Sequence, residues 1–284
     1  MTETYAATLA SNSNPYIPVM ATIQSIEVLT EQERLFKVIL PEPLNHHPGQ
    51  FVMAGLPGIG ECAISISNSP QNSDLLEMVI RNVGNVSGVL HQLKKTDEIS
   101  IRGPYGTGFN LDEFKHKDIV IIAGGLGIVP LRSLIIPIMQ HKNDYGTVNL
   151  IIGSKTPDEA LFREEIQRWK KQPDVTITEL VDNTDHQDWS CDVGRVTKPI
   201  HKLRLNEEKT QLVLCGPPIM YKCVLHEFKQ HFDIPDSQIF IDLERRMRCA
   251  LGKCGHCQIN HLYCCKDGPV FRYSQIKQLS EAFS

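Results

Sequence analysis

Five cysteines crowded between Cys249 and Cys265 constrain this 284-residue chain more than any other feature. The spacing Cys249-x4-Cys254-x2-Cys257 puts three thiols on one short loop, and Gly252 and Gly255 free its backbone to curl around a small inorganic core. A fourth thiol follows in the adjacent pair Cys264 and Cys265. Neighbours on an extended segment point in opposite directions, so one of the pair ligates and the spacing leaves open which. Nine cysteines is an odd number, and five in one segment make a poor disulfide framework for a chain of this length. The pattern predicts a metal centre in a reducing compartment, and hence a cytoplasmic protein.

An x4, x2 opening is the spacing of plant-type two-iron, two-sulfur sites, whereas zinc ribbons more often present two separated C-x2-C knuckles. A 2Fe-2S cluster is therefore expected, with a four-cysteine zinc site as its rival. His256 and His261 lie in the same segment, and a Rieske centre uses two histidines with two cysteines. Four well-spaced cysteines make that unnecessary, and the histidines are read as surface or supporting groups.

The rest of the chain has the composition of a folded protein, with 41% hydrophobic residues and a net charge of -4. Mixed charge without a basic stripe argues against nucleic acid as a partner. The most apolar stretch, Ile119 to Met139, is broken by Gly124, Gly125, Gly127, Pro130, Arg132 and Pro137, so it reads as strand, turn and helix within a core and not as a membrane insertion. The first fourteen residues carry no basic start followed by an apolar run and read as a loose tail.

From Tyr16 to about Gly108, short β-rich runs such as RLFKVIL, QFVMAGL and LLEMVIRNV are separated by Pro and Gly turns, which suggests an antiparallel barrel. From Lys117 the rhythm becomes strand, helix, strand: DIVIIAG, Pro130 to Gln140, TVNLIIGS, Asp158 to Lys171, VTITELV, QLVLCG, Pro217 to Phe232 and QIFIDLE. That alternation argues for a parallel sheet covered by helices. The expected division is a tail over 1–14, a barrel over 15–115, an α/β nucleotide domain over 116–238 and a small cluster module over 239–284.

The run IVIIAGGLGIVPLRSLI sets a Gly-rich turn between a strand and a helix, where backbone N–H groups can hold a pyrophosphate. Pro130 stands where a third Gly is usual, a position that proline tolerates in a first helical turn. A second turn, Cys215 to Met220, follows QLVLC, so both turns fall at the carboxyl ends of parallel strands, where ligands bind in such folds. Cys215 is read as a small residue shaping that pocket. Near Gly153, Ser154, Lys155 and Thr156 no acidic residue stands to bind a ribose 2′-hydroxyl, and the nucleotide is left as NAD(P).

Taken in order, these pieces resemble the ferredoxin-NADP reductase superfamily, from Tyr16 to the end of the chain. The branch they are most similar to contains the electron-transfer subunits of dihydroorotate dehydrogenase, nickel-iron hydrogenase (its gamma chain) and anaerobic sulfite reductase. The resemblance implies FAD bound at AISIS, with Ala63, Ile64, Ser65 and Ile66 along the ring and Ser65 near its reactive nitrogen. Cys62 and Ile64 replace the Arg and Tyr usual in the superfamily. RNVGNVSGVL matches the flavin pyrophosphate turn, with Gly84, Val86 and Ser87 as donors and Arg81 as a partial substitute for the missing arginine. GPYGTGF, from Gly103 to Phe109, matches the link between flavin and nucleotide domains. Gly124, Gly125, Gly127 and Pro130 match the nucleotide pyrophosphate turn, while Cys215, Gly216 and Pro217 match the turn beside the nicotinamide. In the same branch the cysteine before KDGP is the fourth cluster ligand, which implies Cys265 beside Cys249, Cys254 and Cys257.

NAD(P)H gives up two electrons as hydride and an iron-sulfur cluster accepts one at a time, so a flavin is required between them. The expected protein is a subunit relaying electrons between NAD(P)H and a catalytic redox partner of hydrogenase, sulfite reductase or dihydroorotate dehydrogenase type. The rival expectations are an electron-wiring or assembly subunit without its own nucleotide turnover, and a zinc-stabilised structural protein.

Overall fold

The computed structural model describes residues 14–71, 74–185 and 189–283. The tail expected over 1–14 lies outside them except for Asn14, whose side chain caps the N–H of Tyr16. Six antiparallel strands come first: β1 (Val19–Val28), β2 (Glu33–Ile39), β3 (Phe51–Leu56), β4 (Gly60–Ser65), β5 (Leu75–Arg81) and β6 (Glu98–Tyr105), in the order β4-β3-β6-β1-β2-β5. An antiparallel bridge between Ile66 and Met78 joins the two ends of the order and closes the sheet. Alternation along β2 buries Phe36 and Val38 with Ile23, Val52, Met78 and Ile99 inside the barrel. The short helix α1 (Asn85–Leu90) follows β5 and buries Leu90 in the same core.

The second half winds β7 (Asp118–Gly124), α2 (Ile128–Gln140), β8 (Val148–Ser154), α3 (Arg163–Trp169), β9 (Val175–Val181), β10 (Asp192–Val193), β11 (Thr210–Cys215), α4 (Pro218–His231) and β12 (Ile239–Asp242). Their pairings are all parallel, and β7 and β11 read as continuous apolar runs because both faces are covered. The cysteine-rich segment adds a hairpin, β13 (Gln258–Ile259) with β14 (Leu262–Tyr263), then α5 (Cys264–Asp267) and β15 (Val270–Arg272). β15 pairs antiparallel with β12, so the sheet has seven strands in mixed order, β10-β9-β8-β7-β11-β12-β15. The expected parallel sheet is thus extended at one edge by a strand that follows the cysteines. No helix among the described residues is long and apolar enough to cross a membrane.

The halves are tied at one buried ion cluster. Arg132 on α2 donates to Glu77 of β5 at 2.6 Å, to the Ser67 carbonyl at 3.0 Å and to Glu165 of α3 at 2.6 Å. Phe162 lies under its guanidinium, 4.9 Å from ring centroid to Cζ.

Candidate functional site

Two cavities of about 600 Å3 each lie where the barrel meets the carboxyl ends of the parallel strands. The first has three walls. Cys62, Ala63, Ile64 and Ser65 of β4 form one, and Gly84 to Ser87 at the start of α1 form the second. Asp242 to Arg248, the run from β12 toward the first cysteine of the loop, form the third. Ile66 does not reach the cavity; alternation turns it into the barrel core, where it is fully buried. The Ser87 hydroxyl accepts the N–H groups of Val83 and Gly84 at 3.1 and 3.0 Å and donates to the Gly84 carbonyl, so the turn itself consumes it. What this wall offers a ligand is the unpaired backbone N–H groups of a first helical turn. Arg81 is held by the buried Glu33 and lines both cavities.

Gly124, Gly125, Gly127, Gly216 and Pro217 line the second cavity. Its two turns touch: a Cβ on Gly124 would stand 2.6 Å from Met220 Sδ, and one on Gly216 would stand 2.7 Å from Met220 Cε and 3.2 Å from Gly124 Cα. The position there that demands glycine is Gly127, where a Cβ would stand 2.1 Å from the Cys215 carbonyl oxygen. Pro130 lies elsewhere than its match to the nucleotide turn implied, because the helix direction carries it into the first cavity with Leu126 and Val129. Cys215 lines neither cavity; it is fully buried beneath the Gly127 turn in the core. Lys155 lines the second cavity, joined by Glu159, Asp182 and Arg195, which come from later segments. Arg81, Leu126 and Glu244 border both cavities and mark where they meet.

The third wall was not anticipated from the sequence as part of this cavity. Its signal in the sequence is Arg245, Arg246 and Arg248, three arginines between a buried strand and the first loop cysteine. Arg245 is spent on the carbonyls of Glu281 and Ala282, while Arg246 and Arg248 are exposed and face the cavity. Below them Asp242 is 3% exposed, with Oδ2 lacking a hydrogen-bond partner. Burial, and then the neighbouring Glu244, push its carboxyl well above the ordinary range. Burial also pushes up the Cys215 thiol and the Tyr221 hydroxyl, the latter donating to the Asp242 carbonyl at 2.6 Å.

The cysteine loop curls through three left-handed residues, Ala250, Gly252 and Gly255. Its N–H groups point inward at sulfur: Leu251 and Lys253 donate to Cys249 Sγ at 3.4 Å, Gly252 to Cys265 Sγ at 3.1 Å and Cys265 to Cys257 Sγ at 3.4 Å. Burial opposes ionisation of Cys249, but the N–H groups of Leu251, Lys253 and Cys254 outweigh it and hold the pKa down at about 6. The bonds at Cys265 hold it against Cys257 on one side and against the Gly252 turn on the other. Among the described residues no group of three or more His, Cys, Asp or Glu is gathered to hold a metal ion. Cys264 points away: it is fully buried, and its thiol donates to the Leu243 carbonyl at 3.1 Å. The pair sits in one helical turn, not on the extended segment expected, and the turn separates the two directions. His256 and His261 are exposed.

A closed antiparallel barrel, a parallel-rich sheet with cavities at its carboxyl ends and a cysteine loop beside them make up the ferredoxin reductase fold. The sequence matches three described families in that order: an oxidoreductase FAD-binding domain over residues 20–109, an oxidoreductase NAD-binding domain over 121–226, and the iron-sulfur cluster binding domain of dihydroorotate dehydrogenase B over 244–277. The chain is 37% identical to the sulfhydrogenase 1 subunit gamma of Pyrococcus furiosus over 275 residues, covering 93% of this chain and 94% of the relative. It is 31% identical to a probable dihydroorotate dehydrogenase B (NAD(+)) electron transfer subunit of Methanocaldococcus jannaschii over 267 residues, 93% of each. A solved NADH-dependent reduced ferredoxin-NADP oxidoreductase shares the fold with a TM-score of 0.73 at 22% identity, over 97% of this chain and 94% of that one. A ferredoxin NADP+ reductase from Neisseria gonorrhoeae, solved with FAD and NADP, aligns over 79% of this chain and 97% of its own at a TM-score of 0.65 and 22% identity. The chain belongs to the family of hydrogenase gamma and dihydroorotate dehydrogenase electron-transfer subunits.

Proposed function

We propose that this subunit relays electrons between NAD(P)H and a catalytic redox partner through FAD in the first cavity and a 2Fe-2S cluster on Cys249, Cys254, Cys257 and Cys265. The observation that carries this reading is continuity. The two cavities meet at Arg81, Leu126 and Glu244, and the third wall of the first cavity runs directly into Cys249. The x4, x2 spacing, with backbone N–H groups aimed at the sulfurs of Cys249, Cys257 and Cys265, favours a two-iron cluster over a single zinc ion.

When bound, a flavin takes up hydride and releases electrons singly. The residues of the chain supply position and environment. The bare backbones of Gly124 and Gly216 allow a dinucleotide to lie close over the strand ends, where first-turn N–H groups meet its phosphates. Arg246 and Arg248 supply the positive charge for flavin phosphates that Cys62 no longer provides. Leu126, Val129 and Pro130 keep water from the reacting edges. At the far end of the second cavity Lys155 and Arg195 stand with Glu159 and Asp182, charges of both signs, so the nucleotide is stated as NAD(P). We place the protein in the cytoplasm on the chemistry of its free thiols. The catalytic partner is of hydrogenase or dihydroorotate dehydrogenase type by analogy with the relatives, or of sulfite reductase type by the motif resemblance.

Anaerobic mixing of the purified chain with NADH and, separately, NADPH tests the reading. The flavin absorbance should bleach with at least one of them. A chain that carries flavin and bleaches with neither is an electron-wiring subunit without its own turnover.

A further inference from the structure

Arg102 on β6 is 8% exposed, and all five N–H donors of its guanidinium are engaged. Nε donates to Glu61 Oε2 at 2.7 Å, and Nη2 donates to the other Glu61 oxygen and to the Arg248 carbonyl at 3.2 Å. Nη1 donates to Tyr105 Oη and to the Cys249 carbonyl, each at 3.0 Å. The Tyr105 hydroxyl in turn donates to the Pro15 carbonyl. These partners come from separate parts of the chain: Glu61 on β4 and Arg248 after β12 both line the first cavity, and Cys249 is the first thiol of the loop.

We infer that Arg102 is a positioning residue that locks two walls of the first cavity to the backbone of the first cluster ligand. This rests on the proposed function. The planar fork holds a carboxylate on one edge while reaching two carbonyls and a hydroxyl, and the carbonyls it binds lie on consecutive residues. A lysine keeps the charge but gathers three donors on one atom, so it cannot span these acceptors. Releasing the Arg248 and Cys249 carbonyls loosens the segment that carries Cys249 Sγ and the N–H groups of Leu251 and Lys253 aimed at it. The hydrogen bonds to a cluster thiolate set its potential, so the role reaches the cluster without touching it.

The test compares wild type with Arg102→Lys, both carrying flavin and iron. The readouts are hydrogen exchange of the amides from residue 248 to 253 and the midpoint potential and paramagnetic resonance spectrum of the reduced cluster. Arg102→Lys should keep its flavin and iron, exchange these amides roughly tenfold faster or more, and show a shifted potential and an altered spectrum. Wild-type exchange, potential and spectrum in the loaded variant would overturn the role. If Arg102→Lys does not fold, Glu61→Gln removes the anion that orients the fork while keeping its shape. The same amides should then speed up by a smaller factor, and unchanged exchange overturns the role equally. A wild-type chain that takes up neither flavin nor iron overturns the proposed function and this role with it; a loaded wild type beside an insensitive variant overturns this role alone.

Discussion

Cys264 and Cys265 are adjacent and chemically identical, yet one turn of helix aims the first at the Leu243 carbonyl and the second at the Gly252 N–H. Cys265→Ser should therefore lose iron on purification. Cys264→Ser should keep it, since a serine hydroxyl can still donate to Leu243. Iron analysis with the opposite outcome reverses the ligand assignment. Asp242 gives a prediction in pH. Its ordinary pKa is 3.8, and burial, then Glu244, hold the folded-state value well above this. The folded chain binds that proton more tightly, so its contribution to stability is complete below about pH 4 and is lost as pH rises toward the folded value. Urea midpoints measured from about pH 4 upward should fall less steeply in Asp242→Asn than in wild type; parallel curves would show that Asp242 does not stay protonated. At this scale the legible residues were those whose covalent type decides their use. Gly127 is required by close backbone approach to the Cys215 carbonyl, and the loop cysteines stand out by their spacing. Ser87, Pro130 and Cys215 were identified in the right turns, but the direction of a side chain is settled by tertiary packing that spacing does not encode.

Among elements, α2 carries the most structural consequence. Its Gly-rich approach forms the nucleotide turn, its apolar face fills the core, and Arg132 ties the barrel to the sheet. Arg132→Ala takes the arginine from Glu165 and leaves Glu77 with Lys37 alone, 3.5 Å away, so it should cost about 3 kcal/mol in urea unfolding, the low end for breaking a buried pair. A loss under about 1 kcal/mol would mean that solvent reaches the cluster when the arginine is gone. The barrel strands and α2 and α4 were legible from period and punctuation, because hydrophobic alternation and Gly or Pro breaks are local. The stretch expected as one helix from Asp158 to Lys171 is shorter, since Phe162 takes a left-handed conformation with φ of 56° and α3 begins only at Arg163. β15 carried no warning of its own. Three residues after a cysteine loop have no period to read, and their antiparallel place beside β12 is fixed by the Leu243 N–H to Pro269 carbonyl bond at 2.9 Å and by the link, where Thr107 N–H donates to Gly268 at 2.6 Å.

For the whole molecule, the order of the three functional segments was legible because each carries its own motif, whereas their convergence was not. Arg102 lies 147 residues from Cys249, and the wall from Asp242 to Arg248 belongs at once to the end of β12, the first cavity and the approach to the cysteine loop. That sharing joins what the chain presents in sequence as separate modules, and it is what a relay needs, since cofactors exchange electrons only when held close together. The central claim is that both kinds of cofactor reside on this one chain. Iron, acid-labile sulfide and flavin counted on the same anaerobically purified protein test it most directly. The account predicts about two iron, about two sulfide and about one flavin per chain; zinc without sulfide, or flavin with no iron, would contradict it.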